Sequence, residues 1–143
     1  MYQGGFLISR LNKVGGRIFE RILAEQNIDA FNGAQGRILY VLWQQDCIPI
    51  REISKKTGLA VTSLTSMLDR MEAAGLLRRA DAPGDRRKSL IELTVKAKML
   101  RPVYDSVSER MGAILYAGFS ENEISDTERY LRRMLQNLES REK

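Results

Sequence analysis

The fold is decided by residues 48–93, which read IPIREISKKTGLAVTSLTSMLDRMEAAGLLRRADAPGDRRKSLIEL. Two segments of this stretch have helical periodicity, Arg51–Thr57 and Val61–Ala74. Gly58 suits the turn between them, and Gly75 suits the left-handed position just past the second helix. The stretch therefore begins with a predicted helix-turn-helix.

After Gly75 the periodicity changes and predicts a β-hairpin. The predicted strands are Leu76–Ala80 and Ser89–Leu93, and the residues between them form a loop around the turn pair Pro83-Gly84. A hairpin directly after a helix-turn-helix makes a winged helix.

The residues before this stretch predict two helices and a short extended piece, Ile48-Pro49-Ile50. The first helix fades at Asn27, and Asn32 is the predicted N-cap of the second. Apolar residues of the first helix recur at three- and four-residue steps: Phe6, Leu7, Leu11, Val14, Ile18, Ile22 and Leu23. The second helix is densely apolar and therefore a core element: Ile38, Leu39, Val41, Leu42 and Trp43.

The residues after the hairpin predict two more helices. Thr94 caps a long fifth helix that Pro102 is expected to kink and that ends near Gly118. Ser120 and Glu123 form a capping box for the sixth helix. The predicted fold is mostly α with a small β-hairpin wing, an α+β winged helix with six helices. Its expected divisions are an N-terminal dimerisation helix (1–32), a winged helix-turn-helix (33–94) and C-terminal dimerisation helices (95–143).

Composition argues against an enzyme. The 143 residues include no histidine and a single cysteine, which excludes imidazole catalysis, histidine metal ligands and an internal disulfide. The sequence has no glycine-rich phosphate loop and no cluster of metal ligands. We therefore expect no catalytic residue, no metal and no cofactor. The 23 basic and 18 acidic residues give a net charge of +5, which permits a polyanionic partner.

The same counts predict a cytoplasmic protein. A single cysteine fits a reducing compartment, no apolar run approaches the roughly 18 residues that span a bilayer, and residues 1–10 do not resemble an export signal. We expect Cys47 to be buried and inert, because it follows a helix beside Asp46 and Ile48, without the positive surroundings that activate a thiol.

The second helix of the helix-turn-helix has hydroxyl side chains on one face. Leu64, Met67 and Leu68 are expected to face the core, and the outward residues are Thr62, Ser63, Thr65 and Ser66. Such a helix can enter the major groove, where hydroxyls contact phosphates or base edges. The alternative is that serine and threonine are frequent here because they cap helices well.

The hairpin is strongly basic. Between Arg78 and Lys88 five basic residues stand against two acidic ones, a net +3. A basic β-tip beside a recognition helix can insert an arginine into the narrow minor groove, where the negative potential is strongest. The alternative, a solvated charged loop, is less favoured because the hairpin directly follows the helix-turn-helix.

Residues 58–77 and 85–94 resemble the recognition helix and wing of the MarR family of bacterial transcription regulators. The family's wing has Asp-x-Arg followed by a strand ending in Leu-Thr, matched here by Asp85, Arg87 and Leu93-Thr94. The chain departs from the family at Ser66, where an arginine often follows the recognition threonine.

This resemblance implies a ligand-responsive repressor that binds a pseudo-palindromic operator as a homodimer. Arg87 would be the minor-groove arginine, held by Asp85. The residues expected to bind DNA are Thr62, Ser63, Thr65, Ser66, Arg70, Asp85, Arg86, Arg87 and Lys88. The alternative is a winged-helix protein-interaction module in which DNA binding is weak or lost.

The resemblance also implies a dimer interface and an effector site. The apolar stripes of the outer helices exceed what the small central module can cover, and the candidate interface residues are Phe6, Leu7, Leu11, Leu131, Leu135 and Leu138. The effector would be a small aromatic or anionic molecule contacting Arg17, Phe19 and Trp43. Phe19 and Trp43 could instead be ordinary core residues.

Overall fold

The computed structural model describes residues 1–142, with side chains described for 1–85 and 89–142. Within that range the helices are α1 (Gly4–Glu25), α2 (Gly33–Gln44), α3 (Ile50–Thr57), α4 (Val61–Ala73), α5 (Val95–Lys98), α6 (Arg101–Leu115) and α7 (Glu121–Glu139). The strands are β1 (Ile48–Pro49), which precedes α3, and β2 (Leu77–Ala82) and β3 (Asp85–Leu93), which follow α4. The mostly helical fold with a β-hairpin wing is confirmed.

The chain separates into two compact units, Met1–Glu109 and Arg110–Lys143. The first unit contains the helix-turn-helix and the sheet. The expected division into 1–32, 33–94 and 95–143 remains a prediction.

The three strands form one antiparallel sheet in the order β1-β3-β2. Ile48 pairs with Ile91, so the predicted extended piece is a third strand of the wing sheet. The expected eight-residue loop over 81–88 is wrong. The hairpin continues to the pair Ala82 and Asp85 and closes through Pro83-Gly84 alone, because a two-residue turn lets the charged residues remain in the strands.

The core of the first unit lies where α2, α3, α4 and the sheet meet. Its fully buried large side chains are Ile38, Leu39, Leu42, Ile53, Leu64, Leu68, Met71, Leu76, Leu77, Ile91 and Val107. Burial of a side chain of this size contributes about 1.5–3 kcal/mol relative to leaving it exposed. The apolar side of α4 is therefore committed to the core, and its opposite side faces solvent.

The helix ends follow the predicted capping residues. The Asn32 side chain accepts from the Gln35 N–H at 2.8 Å, and Thr94 accepts from the Ala97 N–H at 3.2 Å. Gly58 and Gly75 have φ values of 75° and 77°, a backbone conformation that favours glycine. Both turns therefore form where the sequence predicts them.

The long fifth helix is divided rather than kinked. A turn at Met99 and Leu100 separates α5 from α6, and Pro102 lies in the first turn of α6. Proline has no N–H to donate and clashes with the carbonyl four residues earlier, so it is tolerated in a first turn but not in a helix interior. This restriction explains why α5 ends and α6 begins just before Pro102.

In the second unit, α7 begins with the predicted capping box. Ser120 accepts from the Glu123 N–H at 3.1 Å, and Glu123 accepts from the Ser120 N–H at 2.8 Å. No α7 side chain among the described residues is buried, and the large exposed ones are Tyr130, Leu131, Met134, Leu135 and Leu138. The apolar stripe of α7 is therefore uncovered in the single chain.

Candidate nucleic-acid interface

The turn between α3 and α4 is held by short side-chain hydrogen bonds. Ser54 Oγ donates to the Leu59 carbonyl at 2.6 Å, and Thr57 Oγ1 donates to the Ile53 carbonyl at 2.7 Å. The Leu59 N–H in turn donates to Thr57 Oγ1 at 3.2 Å. These bonds satisfy polar groups of the turn and fix the direction in which α4 leaves it.

The outer face of α4 presents the expected hydroxyls. The exposed residues of its first two turns include Thr62, Ser63, Thr65 and Ser66, whereas Leu64 and Leu68 are fully buried. The predicted orientation is thus confirmed for Leu64 and Leu68, and Met67, also expected to face the core, is half-buried. Arg70 Nη2 donates to Ser66 Oγ at 3.2 Å, so this arginine lies on the same face. The structure therefore brings the helical members of the predicted DNA-binding set together.

The start of α4 is electropositive. Ala60 occupies the N-cap and, within the described residues, no side chain caps this end and no acidic residue lies in its first turn. The first N–H groups of the helix have no intrahelical acceptor, and the helix dipole adds partial positive charge there. Together with the Thr62 and Ser63 hydroxyls, this end suits an oxygen-rich anion such as a phosphate.

The predicted wing residues lie on β3, but most of their side chains lie outside the described part of the structure. This holds for Arg86, Arg87 and Lys88. Asp85 is half-buried and interacts with other groups. The bond between Asp85 and Arg87 and the minor-groove role of Arg87 therefore remain predictions.

Two neighbouring arginines on β2 contact different parts of the protein. Arg78 pairs with Glu92 across the hairpin. Arg79 donates from Nη1 to Glu72 Oε1 at 2.5 Å and from Nη2 to Asp69 Oδ1 at 2.9 Å, which joins the wing to α4. Arg79 was expected only to add positive charge to the hairpin, so its contact with α4 was not predicted. The available signal was the strand alternation that sends adjacent side chains to opposite faces.

The base of the wing is tied to the preceding elements. Asp46 Oδ1 accepts from the N–H groups of Cys47 at 2.8 Å and Leu93 at 2.9 Å. Thr94 Oγ1 donates to the Gly75 carbonyl at 2.6 Å. Both ends of the hairpin are therefore held, while its tip extends beyond them.

Cys47 is exposed, so its expected burial is wrong. It lies in the turn between α2 and β1 with a left-handed φ of 58°, and its Sγ is 3.7 Å from Glu92 Oε2. Loss of hydration and then the negative charge of Glu92 raise the pKa of the Cys47 thiol. The thiol is accessible, but the groups that raise its pKa outweigh the positive charge of Arg78, so the thiol is not activated.

Two of the three candidate effector residues pack against one tyrosine. The Tyr104 ring centroid lies 6.1 Å from that of Phe19 and 5.2 Å from that of Trp43. Trp43 Nε1 also donates to the Ala97 carbonyl at 3.2 Å. Phe19 and Trp43 are therefore half-buried members of an aromatic cluster around Tyr104, and Arg17 is exposed on α1. Their role in binding an effector remains a prediction.

The described part of the chain offers neither a metal site nor a membrane-spanning helix. No group of three or more acidic or cysteine side chains in that part of the chain is placed to hold a metal ion. None of its helices combines the length and apolarity needed to cross a membrane.

Comparison with known proteins points to one family. Residues 31–89 match the model described as the MarR family. The regulator TtmR of Methylorubrum extorquens is 31% identical over 99 residues, 69% of this chain and 49% of TtmR. The regulator MgrA of Staphylococcus aureus is 24% identical over 98 residues, 68% of this chain and 65% of MgrA. The matched region thus spans about half of TtmR and slightly under two thirds of MgrA.

A solved structure resembles nearly the whole fold. A mutant of MarR from E. coli, complexed with operator DNA, has a TM-score of 0.81 and 26% identity, and the match covers 92% of each chain. The family model, the curated regulators and this structure agree with one another and with the arrangement of helix-turn-helix and wing. The chain therefore carries a MarR-family domain over residues 31–89, within a fold that resembles a MarR protein over most of its length.

Proposed function

We propose that this protein is a sequence-specific DNA-binding transcriptional regulator, not an enzyme, and that it represses transcription by occupying an operator. The observation that best supports this is the exposed hydroxyl face of α4, whose electropositive start is left uncapped within the described residues. The structural likeness to a MarR protein in complex with operator DNA supports the same role.

In this proposal α4 enters the major groove. Thr62 and Ser63 contact phosphates beside the first N–H groups of the helix, and Thr65 and Ser66 face base edges. Arg70 lies one turn after Ser66 on the same face and contacts the DNA backbone. Hydroxyls donate and accept equally well, so they discriminate among bases weakly, and part of the specificity falls to the wing.

The wing contacts the neighbouring minor groove. Arg87 inserts at the tip, Asp85 restrains it by a charge-assisted bond, and Arg86 and Lys88 contact phosphates. These roles follow from the Asp-x-Arg motif and from the position of the motif next to the tight Pro83-Gly84 turn.

The regulator acts as a homodimer. The exposed large apolar residues near the chain termini include Phe6, Leu7, Leu11, Leu131, Leu135 and Leu138, and burying such surface against a second copy is the stable arrangement. A two-fold dimer places its two recognition helices about 34 Å apart, one turn of duplex, and thus favours an inverted repeat.

A small aromatic or anionic effector that binds one arrangement of the dimer more tightly would shift the spacing of the two wings and release DNA. The proposed contact residues are Arg17, Phe19 and Trp43. Such a regulator would work in the cytoplasm, where bacterial operators lie.

Selection of bound duplexes from a random pool tests the function. A DNA-binding regulator enriches an inverted repeat whose half-site centres lie about 10 base pairs apart. Recovery of unenriched sequences, or of no DNA, would contradict the proposal and favour the winged-helix protein-interaction module.

A further inference from the structure

We propose that Arg79 is a positioning residue that fixes the angle between the wing and the recognition helix, so that sequence discrimination depends on it more than overall affinity does. This inference rests on the proposed DNA-binding function. It concerns a contact within the protein and assigns Arg79 no contact with DNA.

The geometry is that of a two-point clamp. The two terminal nitrogens of Arg79 contact two carboxylates, Glu72 at 2.5 Å and Asp69 at 2.9 Å, which lie one turn apart on α4. One ion pair leaves a side chain free to swivel, whereas two contacts from a planar guanidinium restrict its orientation. The Arg79 side chain is 30% exposed, against 70% for its neighbour Arg78.

The position of Arg79 along the strand makes the clamp effective. Arg79 pairs with Ile91 on the central strand, and the hairpin continues for three more residues of β2 before it turns. At about 3.3 Å per residue, the turn lies roughly 13 Å beyond Arg79. A swing of about 10° at Arg79 would move the tip by roughly 2 Å, which is enough to break a hydrogen bond to DNA. The recognition helix and the wing tip therefore keep their spacing only while the clamp is closed.

A positioning role and a purely electrostatic role of Arg79 predict different DNA affinities when its acidic partners, Asp69 and Glu72, are neutralised. Asp69→Asn and Glu72→Gln each remove a negative charge from the helix proposed to contact DNA. Electrostatics alone would then raise affinity for every duplex. Loss of the clamp instead lowers affinity for the selected duplex relative to a scrambled one, since only the selected duplex needs both elements in register.

The decisive experiment measures the ratio of affinities for the selected and scrambled duplexes in the Asp69→Asn, Glu72→Gln double variant. We expect this ratio to fall about three- to tenfold while the affinity for scrambled DNA stays level or rises. Arg79→Lys keeps the positive charge but has a single nitrogen, so it cannot hold both carboxylates in the same geometry and should lower the ratio as well. The matched control is Arg78→Lys, the same conservative change one residue earlier on β2, which should leave the ratio at its wild-type value.

A ratio in the double variant equal to or above that of the wild type would overturn the inference. A second readout needs no DNA: amide hydrogen exchange across residues 80–85 should be faster in the double variant and in Arg79→Lys than in the wild type and in Arg78→Lys. Exchange rates at the wild-type level in the double variant and in Arg79→Lys would also contradict the clamp. If the double variant does not fold, Arg79→Lys alone provides the test. Failure of the wild type to prefer any duplex would instead refute the proposed function.

Discussion

The carboxylate of Asp46 accepts a hydrogen bond from the backbone N–H of Leu93 at 2.9 Å, across 47 residues of sequence. The same oxygen accepts from the Cys47 N–H at 2.8 Å. The Asp46 side chain thereby accepts from one backbone N–H in the turn after α2 and from another at the end of β3, the central strand of the sheet. The wing is thus secured to the helical core by a polar contact as well as by the buried face of its sheet.

Asp46→Ala should lower the free energy of unfolding by about 1–3 kcal/mol, because it removes the acceptor of two backbone N–H groups, one of them part-buried. Urea denaturation followed by circular dichroism measures this. Asp46→Asn keeps an oxygen at the same place and should retain most of the stability. Equal stability of the alanine variant and the wild type would show that the bonds contribute nothing.

Thr65→Glu should weaken DNA binding by about 1–4 kcal/mol, because it places a negative charge on the face proposed to enter the major groove of the negatively charged duplex. Fluorescence anisotropy with the selected duplex measures the change. Thr65→Gln has nearly the same shape without the charge, and it also loses the 3.0 Å bond from Thr65 Oγ1 to the Val61 carbonyl. Similar affinities of the two variants would place Thr65 outside the DNA interface.

Arg87→Ala should weaken binding to the selected duplex by about 1–3 kcal/mol, the usual contribution of a well-formed groove contact. The comparison variant is Arg133→Ala, which removes the same charge from α7, outside the winged helix. If the two variants lose affinity equally, Arg87 contributes only general charge and the minor-groove assignment fails.

Alkylation of Cys47 should be slow at neutral pH although the residue is exposed, because its raised pKa leaves less thiolate than an ordinary cysteine has. The rate of reaction with iodoacetamide should therefore rise at a pH above the usual cysteine range. Glu92→Gln removes a negative charge that raises the pKa and should shift the profile to lower pH. A profile in Glu92→Gln identical to that of the wild type would exclude Glu92 as a cause.

Local features were predictable where a few neighbouring residues decide the structure. Asn32 and Ser120 cap the helices that their sequences mark, and Gly58 and Gly75 adopt the expected left-handed turns. The hydroxyl face of α4 followed from the helical period alone, because Leu64 and Leu68 had to face inward.

Features that depend on distant partners were not predictable in the same way. The pairing of Ile48 with Ile91 requires two segments 43 residues apart, and Ile48-Pro49 alone indicates only an extended backbone. The contact of Arg79 with Asp69 and Glu72 depends on how the hairpin leans on α4. Cys47 was expected to be buried and inert because it follows a helix beside Asp46 and Ile48, whereas it lies exposed in a turn with a left-handed φ.

DNA binding by α4 and the wing is tested most directly by its salt dependence. Affinities for the selected and scrambled duplexes are measured between about 50 and 200 mM salt, the range over which phosphate-neutralising proteins lose affinity. If the hydroxyl face of α4 and the basic wing hold DNA, affinity falls steeply and linearly on logarithmic axes for both duplexes. The selected duplex should stay tighter by roughly 10³-fold or more. Binding that ignores salt, or that is equally weak for both duplexes, would contradict the account.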